Sequence, residues 1–138
     1  MKCLIDTSVW SEALRRKKNS INSSQTVLSR LINDENEIYL SGIILQEILS
    51  GITNHKLFTE IKNVLSEFPY IETRKEDYIY AAELGNLLRT KGITAGSFDF
   101  LIASLSIRNN LTLVTSDKDF FYISQHSDLK IYEIGNDI

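Results

Sequence analysis

Short apolar runs alternate along this chain with longer segments whose apolar residues recur every three or four positions, and that alternation sets out its elements. Cys3-Leu4-Ile5 reads as the buried part of a strand over Lys2–Ile5 that runs directly into Asp6-Thr7-Ser8. Thr7 or Ser8 is placed to cap a helix with Val9, Trp10, Ala13 and Leu14 on its apolar face, ending in Arg15-Arg16-Lys17-Lys18. A polar loop follows over 19–24. Asn22, with Gln25 three residues on, is placed to open a second helix whose apolar face is Val27, Leu28, Leu31 and Ile32. Residues 37–40 alternate as a strand does, and Ser41-Gly42 leads into an unusually apolar helix over 43–52. The next helix is expected over 55–68, broken by Pro69, with Tyr70-Ile71 as a short strand. Thr73-Arg74-Lys75-Glu76 fits a capping box for a helix that Gly92 ends near Lys91. Residues 98–108 read as a buried helix, 111–115 as a strand, 117–124 as a short helix and 130–134 as a last strand. Buried strands alternating with helices predict an α/β fold around a parallel sheet. There is no internal repeat, low-complexity tract or linker, and 138 residues suit one domain over 1–138.

Composition narrows the class. The apolar and charged fractions, 43% and 24%, are those of a globular protein. No apolar run approaches the roughly 18 residues of a membrane span, so no membrane partner is expected. The N-terminus turns polar at Asp6, too early for a secretory signal, and the lone Cys3 has no internal disulfide partner. The expected compartment is a reducing cytoplasm. A net charge of −3 and a pI of about 5.4 speak against a passive nucleic-acid coat. They leave a nuclease open, because an acidic metal site itself lowers the total. A Gly-rich phosphate loop, paired cysteines and a His-Glu-x-x-His motif are all missing. His55 and His126 sit in polar, loop-like contexts that suit surface positions.

The placement of the acids is more informative than their number. Glu47 is the only formally charged residue between Glu37 and Lys56, and Asp99 is alone between Lys91 and Arg108. Asp6 is alone between Lys2 and Glu12 at the end of the first strand, while Asp117 follows the fourth strand directly after Thr115-Ser116. First and fourth strands commonly neighbour each other in a parallel α/β sheet, and ligands bind in the crevice at their carboxyl ends. Carboxylates gathered there repel one another unless protons or a cation neutralise them. An all-oxygen ligand set selects Mg²⁺ or Mn²⁺, ions that activate water and orient a phosphodiester. Each acid alone has a plainer account: Asp6 as a cap, Asp99 as a helix-dipole partner, Glu47 as a charge reaching solvent or a distant cation. Convergence of all four is what points to a site.

With those residues in view, the segments Leu4-Ile-Asp-Thr-Ser-Val-Trp10, Ser41-Gly-Ile-Ile-Leu-Gln-Glu-Ile-Leu-Ser-Gly51, Asp99-Phe-Leu-Ile-Ala103 and Leu111-Thr-Leu-Val-Thr-Ser-Asp-Lys-Asp-Phe120 resemble the PIN domain. More narrowly, the chain looks like the VapC-type toxins of toxin–antitoxin pairs. The resemblance implies a three-layer α/β/α fold and an endoribonuclease using Mg²⁺ or Mn²⁺, with Asp6, Glu47, Asp99 and Asp117 as the catalytic and metal-holding acids. It also implies a homodimer, silencing by a cognate antitoxin, and tRNA, rRNA or mRNA as substrate. Asp119 is a fifth metal candidate, although Ser116-Asp-Lys-Asp119 also fits a capping box. Thr7, Thr115 and Ser116 are placed either to support the site or simply to end strands and cap helices. Arg15, Arg16, Lys17 and Lys18 are candidates for the RNA backbone or for a solvated helix terminus. Phe98, Phe100, Phe120, Phe121 and Trp10 read as core. The rival readings are a catalytically silent PIN-like module that binds RNA or a partner, and, ranked last, a phosphoacceptor receiver domain.

Overall fold

In the computed structural model, which describes residues 1–19 and 26–134, the elements run β1 (Lys2–Ile5), α1 (Thr7–Asn19), α2 (Val27–Asn33), β2 (Glu37–Ser41), α3 (Gly42–Ser50) and α4 (His55–Leu65). They continue through β3 (Tyr70–Ile71), α5 (Lys75–Thr90), α6 (Ser97–Arg108), β4 (Thr112–Thr115), α7 (Lys118–Gln125) and β5 (Lys130–Glu133). The strands form one sheet in the order β3-β2-β1-β4-β5, and every neighbouring pair is parallel. Helices flank it, so the expected parallel α/β architecture is the observed one.

The central strand is the most apolar, as a parallel strand between two others must be. Cys3, Leu4 and Ile5 are fully buried, and Leu4 pairs with Tyr39 on one side and Leu113 on the other. From β1 the chain builds outward through β2 and β3, then returns to place β4 on the other side of β1, with β5 beyond it. Strand order therefore reverses between β1 and β4, which opens a crevice at their carboxyl ends. The Asp6 N–H donates to Val114 O at 2.9 Å and carries the β1–β4 ladder one residue into that crevice.

Below the crevice, Trp10 meets Phe68 edge-on at 5.0 Å, and Phe100 and Phe120 are buried. Helices α5 and α6 pack closely because position 85 is glycine, where a Cβ would stand 3.2 Å from the Phe100 ring. The pair is fastened by Asp77, one of the most deeply buried charges. Its Oδ2 accepts the Arg74 N–H at 2.8 Å, its Oδ1 lies 2.9 Å from Arg108 Nε, and its carbonyl accepts the Ser104 hydroxyl at 2.8 Å.

Several expected boundaries shift for local reasons. The capping pair of α5 is Arg74 with Asp77, not Thr73 with Glu76, because the shorter Asp77 also reaches Arg108. Helix α2 is capped by Thr26, whose hydroxyl accepts the Ser29 N–H at 3.1 Å; the expected opening at Asn22 and Gln25 lies outside the described residues, as does the loop before it. The Asp6 carbonyl, not Thr7 or Ser8, accepts the first helical bonds of α1, from Val9 and Trp10. Helix α4 stops at Leu65, and Phe68 turns inward to Trp10. Ile32 is exposed, so the apolar face of α2 is narrower than the sequence pattern implies. Phe98 and Phe121 are exposed and not core, since Phe100 and Phe120 occupy the inward positions of their helices. His55 and His126 are exposed, as expected. No helix among the described residues is long and apolar enough to cross a membrane.

Candidate active site

Asp6 leaves the end of β1 with its carboxylate held on both oxygens. Oδ1 accepts the Thr7 N–H at 2.8 Å, and Oδ2 accepts the Thr115 hydroxyl at 2.8 Å with the Ser8 hydroxyl at 3.4 Å. Thr115 Oγ1 also accepts the Asp117 N–H at 3.0 Å, so one hydroxyl ties the ends of β1 and β4 together. Ser116 takes a peripheral place, its hydroxyl 3.4 Å from that of Ser8.

Asp117 caps α7, and its Oδ1 accepts the Asp119 N–H at 2.9 Å. The capping box read from Ser116 and Asp119 is therefore not formed. Asp119 instead presents a carboxylate to Asp117 and Asp99, and oxygens from these three residues lie within 4.8 Å of one another. Asp99 is held in the first turn of α6 by the Gly96 N–H, 3.2 Å from its Oδ2. Glu47 comes from α3 on the other side, where it is repelled by Asp6 and Asp99. The Thr7 hydroxyl makes no hydrogen bond, yet lies near enough to Glu47 to favour its charged form.

The five acids thus lie close enough to repel one another, but their burial differs from the solitary-charge pattern in the sequence. Asp6 is 8% exposed, Asp99 and Asp119 are half-buried, and Glu47 and Asp117 are exposed. Loss of water raises the Asp6 pKa above the usual carboxylate value, and Asp117 adds to the rise; the Thr115, Thr7 and Ser8 donors oppose it. Asp99 is raised by desolvation first and then by Asp117, Asp119 and Asp6, against the Gly96 N–H. Glu47 is raised by desolvation, then by Asp6 and Asp99. Among the described residues no Lys or Arg forms an ion pair with any of the five. A site that accumulates negative charge and meets it only with neutral donors suits a cation.

Two features escape the sequence. The bridge from Thr115 to Asp6 spans 109 positions, and only the strand order reveals it. A cavity of about 750 Å³ lies between α1, α3 and α4, lined by Leu14, Arg15, Glu47, Ile48, Glu60 and Ile61 among others. It places Arg15 on the wall of a groove that also includes Glu47. The side chains of Arg16, Lys17 and Lys18 lie outside the described residues.

Residues 3–125 match the model of the PIN domain family. The chain belongs to the PIN domain family. Within it, the chain groups with the VapC-type toxins. It is 30% identical to Ribonuclease VapC2 of Rickettsia felis over 122 residues, covering 85% of this chain and 88% of that one. It is 32% identical to Ribonuclease VapC11 of Mycobacterium tuberculosis over 130 residues, covering 92% and 95%. Its fold matches the crystal structure of VapBC2 from Rickettsia felis bound to a DNA fragment from their promoter, with a TM-score of 0.74 and 26% identity over 96% of this chain and 98% of that one. DNA-bound VapBC from Salmonella typhimurium gives a TM-score of 0.78 over 96% and 98% at 19% identity, a likeness of fold alone.

Proposed function

We propose that this PIN domain is a metal-dependent endoribonuclease, the toxin of a toxin–antitoxin pair, and that it hydrolyses RNA phosphodiesters at the cluster of Asp6, Glu47, Asp99 and Asp117. In this reading residues 1–138 form one domain in the cytoplasm. The observation that carries the site is the meeting of Asp99, Asp117 and Asp119 oxygens within 4.8 Å, beside the buried Asp6, with no Lys or Arg among the described residues in an ion pair with them. Those carboxylates fit Mg²⁺ or Mn²⁺, with Asp99, Asp117 and Asp119 as the holding residues and Asp6 and Glu47 flanking them. A bound divalent ion would supply Lewis acidity, lowering the pKa of water and drawing off charge from the phosphodiester.

The chain's own groups supply the rest. Thr115, Thr7 and Ser8 fix the Asp6 carboxylate so that one orientation is presented. Thr115 sets the spacing of Asp6 from Asp117 through its second bond. The Glu47 carboxylate, exposed at the rim and with raised proton affinity, is suited to take the proton of the attacking water. The groove between α1, α3 and α4 has apolar walls, two acids, Glu47 and Glu60, and one cation, Arg15, so it suits an antitoxin segment with apolar residues and side chains of both charges. Homodimerisation and a structured tRNA, rRNA or mRNA substrate complete the proposal.

The test is cleavage of structured RNA by purified protein freed of antitoxin, with Mg²⁺, Mn²⁺ or EDTA. Cleavage should require the ion and vanish in Asp6→Asn and Asp99→Asn. Equal cleavage by these variants overturns the site, and absence of Mn²⁺ binding at millimolar concentration favours a silent RNA- or partner-binding module.

A further inference from the structure

Phe98 stands 67% exposed in the first turn of α6, immediately before Asp99. A single exposed apolar side chain needs no explanation, but this one belongs to a wall. It lines a cavity of about 340 Å³ between α5 and α6, together with Tyr78, Asn86, Arg89, Ser97 and Phe100. Tyr78 is exposed as well. The Arg89 guanidinium lies 5.6 Å over the Phe100 ring, and its Nη1 donates to Asn86 Oδ1 at 3.2 Å, so the cation is held by two contacts. Aromatic faces beside a held guanidinium, an amide and a hydroxyl are what proteins present to unpaired nucleotides. Bases stack on the rings, and cations meet the backbone.

The cavity adjoins the acids through the chain itself, since Phe98 lines it and Asp99 is the next residue of α6. Phe98 and Asp99 are consecutive in one helical turn, separated by about 1.5 Å of rise and roughly 100° of rotation. They share a helix end and face different sides of it. We propose that this cavity is a nucleobase subsite, in which an unpaired base next to the phosphodiester at the acids stacks on Phe98 while Arg89 meets the adjoining backbone. The proposal rests on the ribonuclease reading and deepens it. The acids supply the chemistry, and Phe98 selects where in a loop it happens. A base within a duplex is not free to enter, which directs cleavage to single-stranded positions.

Hairpin RNAs carrying 2-aminopurine at successive loop positions test this. In Ca²⁺, wild-type protein is expected to change the fluorescence at one or two positions; Phe98→Ala and Phe98→Leu should abolish the change and Phe98→Tyr restore it. In Mn²⁺, Phe98→Ala should raise KM for cleavage by about 5- to 150-fold, the range that loss of one stacked base produces, with kcat kept and cuts spread over more positions. No fluorescence change with wild type overturns the subsite, as does a Phe98→Leu variant that matches wild type in both assays. Dissociation of a dimer in Phe98→Ala with an unaltered fluorescence response also overturns it, because a second copy then covers the patch. Binding of the labelled RNA without cleavage would sink the ribonuclease reading and leave the subsite standing. Cleavage that ignores every Phe98 variant does the reverse.

Discussion

Two buried aspartates in this chain are satisfied in opposite ways. Asp77, 2% exposed between α5 and α6, has a backbone N–H on one oxygen and the Arg108 guanidinium beside the other. Asp6, 8% exposed at the β1–β4 crevice, has hydroxyls and an amide but no cation, and other carboxylates close by. A buried charge paired in place is complete, and removing its partner is what harms it. A buried charge surrounded by neutral donors and like charges is complete only when something positive arrives from outside. Burial alone therefore does not distinguish a structural acid from a functional one; the sign of its neighbours does.

Substitutions at the two places should separate along that line. The largest effect is expected at the open cluster. Asp99→Asn should lower cleavage by more than about 100-fold, since even residues behind metal ligands cost ~10–100-fold, while thermal unfolding without metal changes little or rises as repulsion from Asp117, Asp119 and Asp6 is relieved. Next comes Arg108→Met, which strands Asp77 without a cation. A loss of about 2 kcal/mol is expected in urea unfolding, with cleavage per folded molecule unchanged, since the Arg108 side chain is 41% exposed and solvent screens part of the pairing. A cleavage loss in that variant larger than its unfolded fraction explains would break the contrast. A smaller effect follows from Thr115→Val, which removes the hydroxyl shared by Asp6 and Asp117. Cleavage should fall about tenfold and stability by about 1 kcal/mol, and activity should recover in Thr115→Ser.

The contrast also marks how far the sequence could be read. Lone charges in apolar stretches pick out Asp6, Glu47 and Asp99, and a strand end picks out Asp117; the structure brings all four within electrostatic reach of one another. Isolation in an apolar stretch does not by itself mean burial, because Glu47 is exposed. Asp77 carries no such signal, since it sits among Lys75, Glu76 and other polar residues, where local pattern suggests a solvated helix start. Its burial depends on Arg108, 31 positions away. Asp119 was ambiguous for a related reason: capping and metal holding use the same acid at the same spacing, and only the side chain's direction separates them. The strands were legible because parallel central strands are continuously apolar. Helix starts at 26 and 74 were not, because polar candidates for capping stood side by side.

The finest test of the comparison is the pH dependence of stability in the absence of metal. The folded-state pKa of Asp6 is raised, chiefly by burial, so the folded state binds its proton more tightly than the unfolded chain does. Its contribution is stabilising at pH below the unfolded carboxylate pKa and is lost as pH rises through the higher folded value. Urea unfolding of wild type relative to Asp6→Asn, followed from the ordinary carboxylate range towards neutrality, should therefore show wild type losing ground with pH. Saturating Mn²⁺ should reverse the trend, because the ion binds the ionised cluster and stabilises the folded state by mass action. A difference that stays flat with pH in both conditions would mean that the charge on Asp6 is already balanced within the fold, as it is at Asp77, and the distinction between the two aspartates would be lost.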